Sequence, residues 1–354
     1  MARQKIITAE SGGVEDEQYN VALRPRTLEE CIGAEELVEK LRIALAASKQ
    51  RGEPMEHVLL HGPPGLGKTT LAYVIAHEMG TTIKVTSGPA LSRPSDLIGV
   101  LTNLEPCDVL FIDEIHRVPP AVEEYLYPAM EDFKVDFVVD SGLHSRTINL
   151  PLKPFTLIGA TTRAGLLSAP LRTRFGITHH LEFWSEDELL LRLRMSANML
   201  RIEYDEKALR AMAGRARGTP RIANRLLRRC RDYAQVKGNG RLTCPTVDAA
   251  LKLEAIDPLG LDELDRQFLR VIIETYDGGP VGIETVAATL GEETDTLEDV
   301  VEPFLLQIGF IARTRRGRFA TNRAYQHLGK TPKRADNAPL FDDSSQAPGD
   351  SSPS

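Results

Sequence analysis

The stretch His61-Gly62-Pro63-Pro64-Gly65-Leu66-Gly67-Lys68-Thr69-Thr70 fits the pattern G-x-x-x-x-G-K-[ST], and its flanks are those that phosphate chemistry demands. Before it, His57-Val58-Leu59-Leu60 is a short apolar run suited to a buried strand; after it, Thr69 to Glu78 carries apolar residues at helical spacing. The loop therefore sits between strand and helix. Gly62, Gly65 and Gly67 let backbone N–H groups close around phosphate oxygens, and the helix N-terminus adds a favourable dipole. Lys68 is placed to reach the β- and γ-phosphates, and Thr69, followed by Thr70, offers a hydroxyl to Mg²⁺. A chance glycine loop has no need of this order of elements, so the stretch implies binding of a nucleoside triphosphate.

Working outward, 354 residues are too many for one ordinary core, and two or three domains are expected. A hydrophobic content of 42% and a charged content of 26% are those of a soluble globular protein. The N-terminus has no apolar signal-peptide core and no run approaches a membrane span, so a cytoplasmic location is expected. Cys31, Cys107, Cys230 and Cys244 are scattered without C-x-x-C spacing, which argues against a zinc site or a disulfide framework. The net charge of −7 seen over the whole chain hides local patches that matter more for nucleic-acid binding.

The acidic partner of a phosphate loop should end a later buried strand, and Asp108-Val109-Leu110-Phe111-Ile112-Asp113-Glu114 supplies it. In that reading Asp113 holds the Mg²⁺ complex and Glu114 polarises the attacking water as a base. A third strand, Phe155 to Thr162, ends in Thr161 and Thr162; these could orient water or sense the γ-phosphate, and on local evidence they could equally cap a strand. Ten residues on, Arg172 and Arg174 follow Pro170. In an oligomeric NTPase an arginine here can reach the neighbouring subunit's γ-phosphate.

A different segment starts near Ser185, where Glu186-Asp187-Glu188 precedes an apolar run in the acid-first order of a helix start. It reads as all-helical to residue 256 and includes Thr219 as N-cap and Pro220 as first helical residue. Arg221, in that helix's first turn, could close over a bound nucleotide, or could be one more solvated arginine beside Arg228, Arg229 and Arg231.

The phosphate loop together with Leu110 to Arg117, Gly159 to Gly165 and Gly218 to Arg225 resembles the RuvB family, AAA+ ATPases that drive Holliday-junction branch migration in bacterial recombination and DNA repair. The resemblance covers residues 16 to 330. It implies an α/β fold: an AAA+ P-loop NTPase core with a parallel sheet (21–184), a small helical lid domain (185–256) and a C-terminal winged-helix domain (257–330), between a flexible N-terminus (1–20) and a disordered acidic tail (331–354). It further implies ATP and Mg²⁺ as cofactors, a homohexamer, double-stranded DNA at Holliday junctions as substrate, and RuvA and RuvC as partners, with no membrane. By the same resemblance Leu23 and Arg24 contact the base region, Glu131, Asp132 and Phe133 border the nucleotide pocket, Trp184 and Arg221 line it, and Arg174 is the finger supplied in trans. Two departures bear on the adenine pocket: Cys31-Ile32-Gly33-Ala34 replaces a more usual Tyr-Ile/Val-Gly-Gln, and Trp184 stands where tyrosine is common.

Lys134 to Val139 and Thr147 to Leu150 read as two strands around an Asp140-Ser141-Gly142 turn. In the family this hairpin (134–150) meets RuvA, and Val138 and Val139 suit such a contact, although packing on their own domain explains them as well. Residues 257 to 330 offer helix-like runs around Leu264 to Tyr276, Ile283 to Leu290 and Leu297 to Ile308, then a strand pair, which suggests a winged helix. The third helix region carries Glu292, Glu293, Asp295, Glu298, Asp299 and Glu302 and is too acidic for a phosphate-lined groove. The following hairpin carries Arg313, Arg315, Arg316 and Arg318 and no acid, so the wing is expected to touch DNA, mainly at phosphates. The resemblance singles out Arg313 and Arg318; a merely solubilising turn is the alternative. Two other readings are open to the whole chain. A clamp loader would end in a helical collar, and an ATP-switched initiator would carry an extra helical element between Lys68 and Asp113, where the spacing is short.

Overall fold

A computed structural model of the chain describes residue 19 and residues 21–138 and 147–331. The chain forms two compact units, one ending at Glu263 and the other beginning at Leu264. In the first, five parallel strands lie in the order β2-β3-β6-β1-β7: β1 Val58–His61, β2 Ile83–Ser87, β3 Val109–Asp113, β6 Thr156–Thr161 and β7 Ile177–His180. Strand alternation sends Leu59, Leu110, Ile112 and Leu157 to one face, against the helices Pro94–Thr102 and Pro120–Glu131. Val58, Leu60, Val109, Phe111, Ile158 and Ala160 point to the other, against Glu35–Arg51 and Lys68–Met79. Both faces are covered over the inner strands β1, β3 and β6, which is why these three read as largely apolar runs. All five strands run the same way, so β1, β3 and β6 deliver the phosphate loop, Asp113 and Thr161 to one edge of the sheet.

The helices Glu186–Met199, Glu206–Ala213, Pro220–Lys237 and Cys244–Leu253 gather a core of their own around Leu193, Leu209, Leu226 and Val247. The first starts on a full capping box, with the Ser185 hydroxyl accepting from the Glu188 N–H and the Glu188 carboxylate accepting from the Ser185 N–H. Thr219 does sit at the N-cap position, but its hydroxyl donates to the Arg217 carbonyl at 3.2 Å and caps nothing. Proline at the first helical position starts this helix without that bond.

The second unit holds all but the first residue of the helix Glu263–Arg270, which runs on through Val271–Thr275, then the helix Ile283–Leu290 and a third helical stretch from Thr294 to Gln307. The antiparallel strands β8 Ile311–Thr314 and β9 Gly317–Ala320 follow, with Arg313 opposite Arg318. Gly317 is at φ +133°, and a Cβ there would meet the Val281 carbonyl oxygen at 2.4 Å, so the wing can turn at this point only on glycine. In the first unit, β4 Lys134–Val138 and β5 Thr147–Pro151 form the expected hairpin stem. Its tip, with Val139 and the Asp140-Ser141-Gly142 turn, lies outside the described residues, as do residues 1–18 and the tail from 332.

Candidate functional site

The phosphate loop is shaped by three glycines at positive φ: Gly62 at +139°, Gly65 at +78° and Gly67 at +98°. Gly62 is also a packing requirement, because a Cβ there would lie 2.3 Å from the Leu181 carbonyl oxygen. The loop is tied to its neighbours by Gly62 N–H donating to Thr161 O at 3.1 Å and Leu181 N–H to His61 O at 2.7 Å. Lys68 is 7% exposed, and its ammonium is folded back onto the loop, donating to the Gly62 and Pro63 carbonyls at 2.8 Å each. Burial pulls its pKa down to about 8, and nearby Arg221 adds to the effect while Asp113 and Glu114 oppose it.

Asp113 and Glu114 reach the same cavity, about 410 Å³ in volume, together with Thr69, Thr162 and Arg221. Burial raises the Asp113 pKa, against the pull of the Glu114 N–H, which donates to its carboxylate at 3.0 Å, and of Lys68. Glu114 is in the left-handed region at φ +47°, and its carboxylate pairs with Arg117 at 3.1 Å. The two threonines part company. Thr161 is fully buried, and its hydroxyl joins His116 Nδ1 at 2.9 Å and accepts from the Arg163 N–H at 3.0 Å, so it braces the loop after β6. Thr162 faces the cavity.

The donor set fits a nucleoside triphosphate with Mg²⁺. A buried cation, a glycine-built anion cradle and the Thr69 hydroxyl with Asp113 converge on one cavity. No group of three or more His, Cys, Asp or Glu that could hold a metal ion is found among the described residues. Arg24 lines the cavity with its guanidinium 4.9 Å from the Tyr73 ring centre, and Cys31, Gly33, Ala34 and Trp184 line it too. Leu23 is buried just behind, where its carbonyl accepts from Arg192.

Arg192 and Asn224 also line the cavity and were not anticipated. Arg192 lies in an apolar run of a helix and looks like a surface charge, but burial lowers its pKa and the Leu23 carbonyl holds it in the wall. Asn224 sits one turn after Arg221, the only local signal for it, and accepts from the Ser196 hydroxyl at 3.0 Å.

Glu131, Asp132 and Phe133, expected to border the nucleotide pocket, do not line this cavity, and neither does Arg174, which was expected to reach a neighbour's nucleotide. They stand together at the end of the helix Pro120–Glu131, where Phe133 and Arg174 share a second concavity with His57 and Gly176. The Arg174 guanidinium lies 4.4 Å from the Tyr127 ring centre, pairs with Glu131 at 3.2 Å and donates to the Pro170 carbonyl at 2.7 Å.

In the wing, Arg313, Arg315 and Arg316 are exposed, the Arg313 side chain at 59%. Arg318, expected among the DNA contacts, is not available: its side chain is 9% exposed, and it makes a two-pronged pair with Glu302 at 2.8 and 2.9 Å and reaches Glu298 at 3.3 Å. The acidity of the third helix is the reason, since Glu302 is itself buried and needs a cation.

Comparison with known proteins agrees with this geometry. Three family models match in succession: the P-loop domain of the Holliday junction DNA helicase RuvB over residues 23–181, the RuvB AAA lid domain over 184–257 and the RuvB C-terminal winged helix domain over 258–329. The chain is similar to the solved Thermotoga maritima RuvB Holliday junction branch migration motor, at 51% identity and a TM-score of 0.80 over 88% of this chain and 99% of that one. A lysine-to-arginine variant of that protein matches at 51% identity and a TM-score of 0.81, over 87% of this chain and 98% of its own. An arginine-to-alanine variant matches at 50% identity and 0.79, with the same coverage of 87% and 98%. The chain belongs to the RuvB family of Holliday-junction branch-migration motors and is an AAA+ P-loop ATPase of the helicase type.

Proposed function

We propose that the chain is an ATP-driven motor that moves duplex DNA through a Holliday junction as a homohexameric ring, in the cytoplasm, during recombination and repair. RuvA is its junction-binding partner through the hairpin 134–150, and RuvC is the nuclease it feeds. Lys68 and the loop N–H groups hold the β- and γ-phosphates, and Arg24, Leu23 and Trp184 hold the base end. Thr69 and Asp113 would hold Mg²⁺ when it is bound, and the ion would supply positive charge to the phosphates. Glu114 takes the proton of the attacking water, with Thr162 orienting that water and Arg221 linking the lid to the γ-phosphate. Arg313, Arg315 and Arg316 grip DNA phosphates without reading bases.

The observation that best supports a ring is the position of Arg174. It is held by Tyr127, Glu131 and Pro170 outside its own cavity, as an arginine destined for a neighbour's γ-phosphate would be. Glu131, Asp132 and Phe133 beside it then border the neighbour's nucleotide and not their own. Arg174→Ala is expected to lower ATP turnover by about 10³–10⁵ while each subunit still binds nucleotide. Mixing Arg174→Ala with Lys68→Ala subunits tests the assignment. Some interfaces then pair an intact loop with an intact finger, and turnover should partly return; no return despite co-assembly rules out action in trans.

A further inference from the structure

The residue that leads into the phosphate loop, His61, has a second imidazole beside it. Strands β1 and β7 are parallel neighbours whose last residues, His61 and His180, are register partners. Their side chains therefore leave the same face of the sheet side by side. Their Nδ1 atoms are 3.1 Å apart and their ring centres 4.8 Å apart. We propose that His61 and His180 form a two-imidazole binding site for a divalent transition metal, Zn²⁺ foremost, at the entrance to the phosphate loop.

The spacing carries the argument. Two imidazole nitrogens at this separation, each about 2.0–2.1 Å from a common ion, subtend about 100° at it, close to a tetrahedral or octahedral edge. Small rotations of the two rings bring both lone pairs onto the ion. Imidazole is a ligand suited to zinc, nickel and copper. His180 is exposed, so water can complete the shell.

A ligand must be neutral, and the surroundings keep His61 so: burial and the nearby His180, His179, Arg172 and Lys68 all lower its pKa. The cationic Arg172 and Lys68 also oppose the ion and limit affinity. The metal-free contact needs one ring to carry its proton on Nδ1. When the ion arrives, that proton moves to Nε2 through water and both Nδ1 lone pairs pass to the metal. Acid opposes binding, because His61 must be neutral to ligate the ion. His179, one residue before, points to the opposite face near Lys40 and Glu36 and takes no part.

The test is calorimetric titration of the untagged, nucleotide-free full chain with Zn²⁺ alone, in neutral and in mildly acidic buffer. The expected result is one ion per chain at neutral pH, with affinity falling by about tenfold or more in His180→Gln and in His61→Gln. His179→Gln should bind as the wild type does, and acid should weaken wild-type binding. Absence of wild-type binding, or undiminished affinity in either the His61 or the His180 variant, overturns the site. Loss in His179→Gln alone does so as well, and would mark an adventitious ion elsewhere.

Discussion

Lys68 is a buried cation whose ammonium donates to two carbonyls of its own loop, and its pKa of about 8 puts its charge within reach of experiment. Phosphate beside it favours the cation, so the complex must have the higher pKa. Between the two values, binding takes up one proton and ATP affinity falls as pH rises, by about tenfold per unit at full uptake; below pH 8 this group adds no slope. Calorimetry in buffers of different ionisation enthalpy should find that uptake in the wild type and not in Lys68→Met. Equal uptake in both would show that another group titrates. The neighbouring carboxylate separates binding from chemistry. Lys68→Ala should weaken ATP binding, whereas Glu114→Gln should keep it and lose turnover on the order of 10²–10⁴, the usual worth of a general base. Near-normal hydrolysis in Glu114→Gln would remove it from that role. Both residues were legible in the sequence because loop and acid are each local, a few residues at the end of a strand. Arg192 was not, because its place depends on a carbonyl 169 residues away and nothing near it in the chain announces burial.

At the scale of elements, the wing shows where a charge pattern misleads. Four arginines in an acid-free hairpin read as one DNA-facing set, but the buried Glu302 divides them: Arg313 and Arg318 are register partners, and of the two it is Arg318 that the carboxylate draws in. Arg318→Ala would remove both close hydrogen bonds of the buried Glu302 carboxylate and leave it the exposed Arg313 guanidinium 4.0 Å away, so the C-terminal unit is expected to lose up to about 3–5 kcal/mol, the cost of breaking a buried pair. Arg313→Ala, which loses only a long pair at 4.0 Å to Glu302 from an exposed position, should cost about 1 kcal/mol or less and weaken DNA binding equally for unrelated sequences. It should also reduce the slope of log affinity against log salt by about 0.9 if it neutralises one phosphate. Melting curves with a salt series on two unrelated duplexes separate the two roles; a stable Arg318→Ala that binds DNA poorly would return Arg318 to the interface. The helices and strands around these residues were readable from apolar spacing, whereas ion pairs between a helix and a hairpin 16 to 20 residues on were not. Thr219 teaches the same lesson: position marked the N-cap, but the hydroxyl turned to another partner.

For the whole molecule, the phosphate loop and acid pair indicate only a nucleotide-driven machine; the succession of P-loop, lid and winged-helix domains identifies which kind. That order was visible in the sequence, because each domain carries its own motif. The place of Glu131, Asp132 and Phe133 was less so, since they look like neighbours of the phosphate loop until the fold sets them at the end of the helix Pro120–Glu131, outside the cavity. The central claim, that hydrolysis at this cavity moves DNA at a junction, is tested most directly with a synthetic four-way junction, RuvA, Mg²⁺ and ATP. The wild type should convert the junction to duplexes, while Glu114→Gln, which still binds ATP, should leave it intact. Conversion by Glu114→Gln at the wild-type rate, or none by a wild type that hydrolyses ATP normally and binds the junction with RuvA, would contradict it.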